Sequence, residues 1–241
     1  MTLEKGLCYR ECVKNLRWIR IERRLLLVLL LTLLPWPAVW FGLYRFDNLA
    51  LTFALYHGLC LAPAIYWGRK LWRHSLRWPT AREWAVLAVA VVVAIPASVA
   101  AYHWIGARLF DAHEVLSVVT HRGFRTQLLI PLALYFIPVN ATLEELFWRG
   151  VVLNELRGMG EAVWTFGAVW TALAFGGWHY LVIRLLLRPG WAELTVLGIV
   201  ISGIFFAWLY RRTRSIVVPI LWHGLVFDMA IIFVFAAVLR G

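Results

Sequence analysis

Seven stretches of this chain are apolar for about the 17–25 residues that a helix needs to cross a bilayer, and nothing else constrains its fold as strongly. They run over Leu25–Tyr44, Leu49–Trp67, Trp84–Tyr102, Leu128–Leu153, Ala162–Leu187, Leu194–Tyr210 and Ile216–Leu239. Inside lipid the backbone must satisfy its own polar groups, which leaves the helix as the structure for such runs. With 62% of its residues hydrophobic and 15% charged, the chain is far from the soluble average of about 45–50% apolar and 25% charged. The expected fold is all-α: one polytopic transmembrane helix bundle of about seven spans, without internal repeats or a soluble domain.

A net charge of +11 would suggest nucleic acid in a soluble protein. Here the basic residues fall between the apolar runs, where they set topology and meet anionic lipid, so the expected partner is the bilayer and not nucleic acid. With the N-terminus in the cytoplasm, the inner side carries the basic juxtamembrane segment Met1–Arg24, the loop Gly68–Arg82, the loop at Arg157 and Arg211–Arg214. Lys and Arg then favour that side by better than two to one, which predicts a multi-pass cell-membrane protein with an inner N-terminus. The segment Trp104–Thr126 is less apolar and fits either an interfacial helix or a re-entrant piece. Cys8 and Cys12 lie one helical turn apart, a spacing open to acylation as well as to two reduced thiols.

The fourth run contains Glu144, Glu145 and Arg149. Each ionisable residue at a helix centre costs about 2.5–3.5 kcal/mol, against roughly −0.3 to −0.6 for a large aliphatic one. Such a helix needs its polar face turned to other polar groups inside the bundle. Residues four apart share a helix face, so Glu145 and Arg149 should pair. Glu144 points about 100° away, has no partner on its own helix and must find one elsewhere. A carboxylate so placed suits a general base, although a buried Glu–Arg staple between helices would use the same pair. Thr142-x-x-Glu145 also has the form of a capping box, which the surrounding apolar run discounts. His179 in the fifth run, one turn after Phe175, and His223 and Asp228 in the seventh supply further polar groups. One glutamate and two imidazoles can hold a water or a Zn²⁺ ion with an open position.

Glu144-Glu145-x-x-x-Arg149, Phe175-x-x-x-His179 and a last helix with His223, in that order on separate spans, resemble the CPBP family. These are CAAX prenyl endopeptidases and bacteriocin-processing or immunity proteins, described as intramembrane proteases. The resemblance covers about Leu128 to Asp228 and divides the chain into the basic segment 1–24, N-terminal spans 25–127 and a catalytic bundle 128–241. It implies that Glu144 activates the attacking water with help from His179. It gives Glu145 and Arg149 supporting or substrate-contacting roles, and His223 an oxyanion-stabilising or metal-ligating one. Members are described as metallopeptidases, in which case Glu144, His179 and His223 would hold Zn²⁺; a metal-free water attack needs the same residues. The implied substrate is a peptide or membrane protein. Two other readings use the same charges: a non-catalytic immunity or scaffold protein, and a small carrier, which would show inverted repeats.

The family pattern has Asn or Asp four residues after the last histidine, where this chain has Phe227. Asp228 follows, but on a regular helix it lies 140° from the His223 direction, against 40° for position 227. Asp228 therefore joins the site only if the helix is distorted, either overwound or carrying a π-bulge, which adds about one residue to a turn. Because an intramembrane Asp without a polar partner is costly, Asp228 is expected to contribute to the site.

Overall fold

The computed structural model describes residues 21–240, so Cys8, Cys12 and most of the basic juxtamembrane segment lie outside the described residues. Among these residues there is no strand, and seven helices are long and apolar enough to cross a membrane. They are α1 (Ile21–Arg45), α2 (Leu49–Trp67), α3 (Ala81–Leu109), α5 (Thr126–Arg157), α6 (Glu161–Ile183), α7 (Trp191–Thr213) and α8 (Val217–Val238). A shorter helix, α4 (Ala112–His121), lies between α3 and α5. The third span begins earlier than its apolar run because Thr80 and Glu83 form a reciprocal capping box at its start.

The loops sort onto two faces, as seven crossings require. On one face the Ile216 amide donates to the Ser75 carbonyl at 2.9 Å, and Arg77 donates to the Thr213 carbonyl at 3.0 Å. On the other, the Leu49 amide donates to the Arg122 carbonyl at 3.0 Å, and the Arg188 amide donates to the Leu109 carbonyl at 2.9 Å. α4 belongs to this second face. Its ten residues rise only about 15 Å, half the hydrocarbon thickness. Asp111 caps it by accepting from the amides of His113 and Glu114, which holds the Asp111 carboxyl below its ordinary range. Val115 and Val119 turn inward, so the Trp104–Thr126 segment is the end of α3 followed by a surface helix.

Several spans are not regular throughout. π-helical winding, with i→i+5 bonds, occurs at Phe41–Arg45, Ala54–Leu61, Phe136–Asn140, Leu146–Val152 and His223–Asp228. Two of these stretches adjoin or contain prolines, Pro63 and Pro138, whose missing N–H interrupts the ladder and lets an extra residue into the turn. Thr142 donates its hydroxyl to the Pro138 carbonyl at 2.6 Å, so it bridges this irregularity and caps nothing.

The largest buried cluster joins α1 and α2, through Val39, Tyr56 and Leu61, to α5 and α6, through Trp148, Phe175 and Trp178. Small residues set the closest helix approaches, as is usual where lipid offers no hydrophobic drive between helices. Gly176 of α6 lies against Val200 of α7, and Gly203 of α7 lies against Ala172. At the α5–α8 crossing, a methyl group on Gly224 would overlap the backbone carbonyl oxygen of Ile137. Neither backbone can yield locally. Gly224→Ala should therefore destabilise the bundle by about 1–3 kcal/mol, the usual cost of overpacking. Gly198→Ala, whose added methyl meets nothing, serves as the control. Thermal melts in detergent should separate the two, and equal midpoints would show that the α5–α8 contact is loose.

Candidate active site

Three of the charges of α5 are among the most buried side chains of the described residues: Glu144 is 2% exposed, Glu145 0% and Arg149 1%. Arg149 donates to Glu145 Oε1 at 2.8 Å and to the Gly203 carbonyl of α7 at 2.9 Å. Its guanidinium also lies 5.0 Å from the Phe175 ring and 5.2 Å from the Phe206 ring. The cation is thus enclosed by a carboxylate, a carbonyl and two aromatic faces, while its Nε has no hydrogen-bond partner among the described residues. The pairing expected from the four-residue spacing is present. Phe175, the first residue of the Phe-x-x-x-His motif, is part of the wall around Arg149.

Glu144 finds its partners on other helices. Tyr56 of α2 donates its hydroxyl to Glu144 Oε1 at 2.8 Å, and His223 Nε2 of α8 lies 3.5 Å from Glu144 Oε2. The division between the two carboxylates is less clean than the helix geometry suggests, because His223 Nδ1 also lies 2.9 Å from Glu145 Oε1. One imidazole thus bridges both glutamates, and its ring stacks on Phe206 with centroids 5.1 Å apart.

Asp228 is in the site. It is 2% exposed, and its Oδ1 lies 3.5 Å from His223 Nε2. The π-helical turn His223–Asp228 brings the fifth residue back toward the face of the first. The helix is loosened there, not overwound. Phe227 packs instead against Phe206, with ring centroids 5.1 Å apart.

His179 makes no direct hydrogen bond to this cluster. Its Nδ1 lies 2.6 Å from the Phe175 carbonyl, and its ring stacks on Trp178 at 3.8 Å. The Nδ1 proton therefore goes to that carbonyl, and among the described residues Nε2 has no hydrogen-bond partner. Glu144 and His179 are not hydrogen-bonded to each other. Among the described residues, no three His, Cys, Asp or Glu side chains are grouped so as to hold a metal ion. The His223 nitrogens are taken up by carboxylates and His179 Nδ1 by a carbonyl. In this arrangement Glu144, His179 and His223 do not form a cage for Zn²⁺.

Sequence reasoning missed a second set of polar residues. Besides Tyr56, α2 contributes His57, and α5 contributes Asn140 and Tyr135. Asn140 Nδ2 donates to Asp228 Oδ2 at 3.2 Å, and His57 Nε2 lies 3.1 Å from Asn140 Oδ1. The signal was present: a histidine and an asparagine inside bilayer-length apolar runs are as costly as the residues that drew notice. A shallow groove of about 550 Å³ opens beside them between α2 and α5, lined by Phe53, His57, Tyr135 and Leu143 among others.

A bundle of membrane-spanning helices around a shared cluster of carboxylates, imidazole and guanidinium is a multi-pass membrane protein with buried charged groups at its core. Residues 126–227 match the family model described as Type II CAAX prenyl endopeptidase Rce1-like, which agrees with the resemblance that the motif residues carry. The match takes in the three motifs on α5, α6 and α8; α1–α4 lie outside it. No curated protein and no solved structure matches the chain.

The two glutamates should differ in what their loss does to the fold. Glu145→Ala leaves Arg149 without its counter-charge in a dry site, and breaking such a pair costs about 3–5 kcal/mol. Glu144→Ala removes a carboxylate that has no ion-pair partner on its own helix. The larger drop in melting midpoint should belong to Glu145→Ala, with partial recovery in Glu145→Ala/Arg149→Leu; equal drops would contradict the division of roles.

Proposed function

We propose that the protein is an intramembrane endopeptidase that hydrolyses a peptide bond of a membrane-associated protein or peptide, with Glu144 as the general base. The observation that carries this reading is the setting of Glu144: buried at 2% exposure, held at Oε1 by Tyr56 and faced at Oε2 by His223. Glu144 removes a proton from water as its oxygen attacks the scissile carbonyl carbon. The same proton then passes to the departing amine nitrogen as the C–N bond breaks. The free Nε2 of His179 orients the water. Once Glu144 has taken the proton from water, the Tyr56 hydroxyl and the His223 Nε2–H, which face its carboxylate in the resting site, turn to the negative charge developing on the carbonyl oxygen, a role for which water-excluded donors are well suited. Asp228 and Glu145 hold His223, and Arg149 holds Glu145. The α2–α5 groove, where Leu143 neighbours Glu144 in sequence, gives the substrate a path from within the bilayer. The N-terminus is on the cytoplasmic side.

Cleavage of a membrane-anchored peptide by the full chain in proteoliposomes tests the mechanism. Glu144→Gln keeps the size of the side chain and removes the base, so the rate should fall by at least about 10²-fold with an unchanged melt. Cleavage retained by that variant would end the proposal. Asp228→Ala should reduce the rate by about tenfold through a disoriented His223; a rate near that of the parent would remove Asp228 from the site.

A further inference from the structure

Behind His223 and Asp228 runs a row of side chains that the proposed chemistry does not use. The Tyr135 hydroxyl lies 2.6 Å from His57 Nδ1, His57 Nε2 lies 3.1 Å from Asn140 Oδ1, and Asn140 Nδ2 lies 3.2 Å from Asp228 Oδ2. His57 is 4% exposed and Asn140 5%, while Tyr135 borders the α2–α5 groove. The row joins α2 to α5 twice and α5 to α8.

The donor and acceptor inventory allows one arrangement of protons along this row. Facing a carboxylate oxygen, the Asn140 amide presents its NH₂ group, which turns its oxygen toward His57. That oxygen can only accept, so the proton of His57 sits on Nε2. The lone pair of a neutral imidazole is then on Nδ1, and the Tyr135 hydroxyl fills it by donating. Every hydrogen points the same way, from the groove toward Asp228. Among the described residues no carboxylate hydrogen-bonds to His57 to support a charged ring, and its neighbours Phe53 and Tyr56 are aromatic, with centroids 5.5 and 5.0 Å away.

We infer that His57, oriented by Tyr135, is a positioning residue for this site. It fixes the Asn140 amide, which holds Asp228 and thereby aims the His223 imidazole at Glu144. The consequence for rate rests on the proteolytic reading above; the hydrogen-bond order does not. Without the Nε2 donor, the Asn140 amide is free to turn its oxygen toward Asp228, and Asp228 loses its only hydrogen-bond donor other than His223 among the described residues.

The test uses the full chain in proteoliposomes, with His57→Leu, His57→Gln and Tyr135→Phe compared on a peptide that the parent cleaves. His57→Leu should lower kcat by about tenfold or more, the scale seen when a group that orients a reacting residue is lost, and leave KM nearly unchanged. His57→Gln should recover most of the loss, because its amide N–H can still reach Asn140. A purely structural role predicts no such rescue, and predicts loss of folded protein in place of loss of kcat. Nitrogen NMR of histidine-labelled protein, with the His57 signal identified by its absence in His57→Gln, should place the proton on Nε2 and show that signal moving in Tyr135→Phe. If His57→Leu does not fold, Tyr135→Phe, which deletes one oxygen, carries the kinetic comparison with a smaller loss of kcat. A proton on Nδ1, or parental kcat in the folded variants, overturns the inference. A parent chain that cleaves no membrane peptide, yet has His57 protonated on Nε2, would defeat the proteolytic reading and uphold the hydrogen-bond order.

Discussion

The guanidinium of Arg149 sets the terms for the rest of the bundle. A permanently charged group at the centre of a membrane helix needs its donors filled from neighbouring helices, and it can be filled only by bringing them close. Arg149 takes a carboxylate from its own helix, a carbonyl from α7 and aromatic faces from α6 and α7. The approach of α7 is close because Gly203 and Ala172 carry almost no side chain where the helices meet. Glu145, once paired with Arg149, becomes a fixed acceptor for His223, and α8 is recruited in turn. Helix packing and the polar site are thus one arrangement: the glycine that lets α7 approach also supplies a carbonyl that accepts from the cation.

Loosened helical turns do a second part of the positioning. Tyr56 and His57, Asn140, Arg149, and His223 with Asp228 all lie on π-helical stretches of their respective spans. A regular helix repeats a face every three or four residues and would place adjacent polar residues on divergent sides. Widening one turn changes that phase and lets His223 and Asp228, five apart, meet the same partners. Because the wider turn leaves backbone groups less well aligned, it persists only where side chains from other helices hold it in place. α6 has no such turn, and its His179 is the site histidine without a carboxylate partner.

The seven spans, their approximate ends and the all-α class were readable from hydropathy, because a bilayer enforces one secondary structure on any long apolar run. The Glu145–Arg149 pair was readable for the same kind of reason, since a four-residue spacing places two side chains together whatever the rest of the chain does. The resemblance to the CPBP family likewise rested on motif residues that lie within short stretches, and residues 126–227 match the Rce1-like model. Short-range geometry also ruled that Asp228 points away from the site on a regular helix. That ruling assumed a constant helical phase, which is a property of the bundle and not of the local sequence.

What only the tertiary structure decided is which helices face each other. Tyr56, His57 and Asn140 carried a visible cost in their apolar runs, yet nothing along the chain linked residue 57 to 140 or 140 to 228. Those links depend on the crossing of α2, α5 and α8, fixed by the Gly224 contact with the Ile137 carbonyl and by three loosened turns. The same holds for the lack of a direct hydrogen bond between His179 and Glu144, since the sequence does not state the rotation of α6. Local periodicity determined what each helix must hide. Helix rotation and winding, which are settled by packing among side chains far apart in sequence, determined which hidden groups meet.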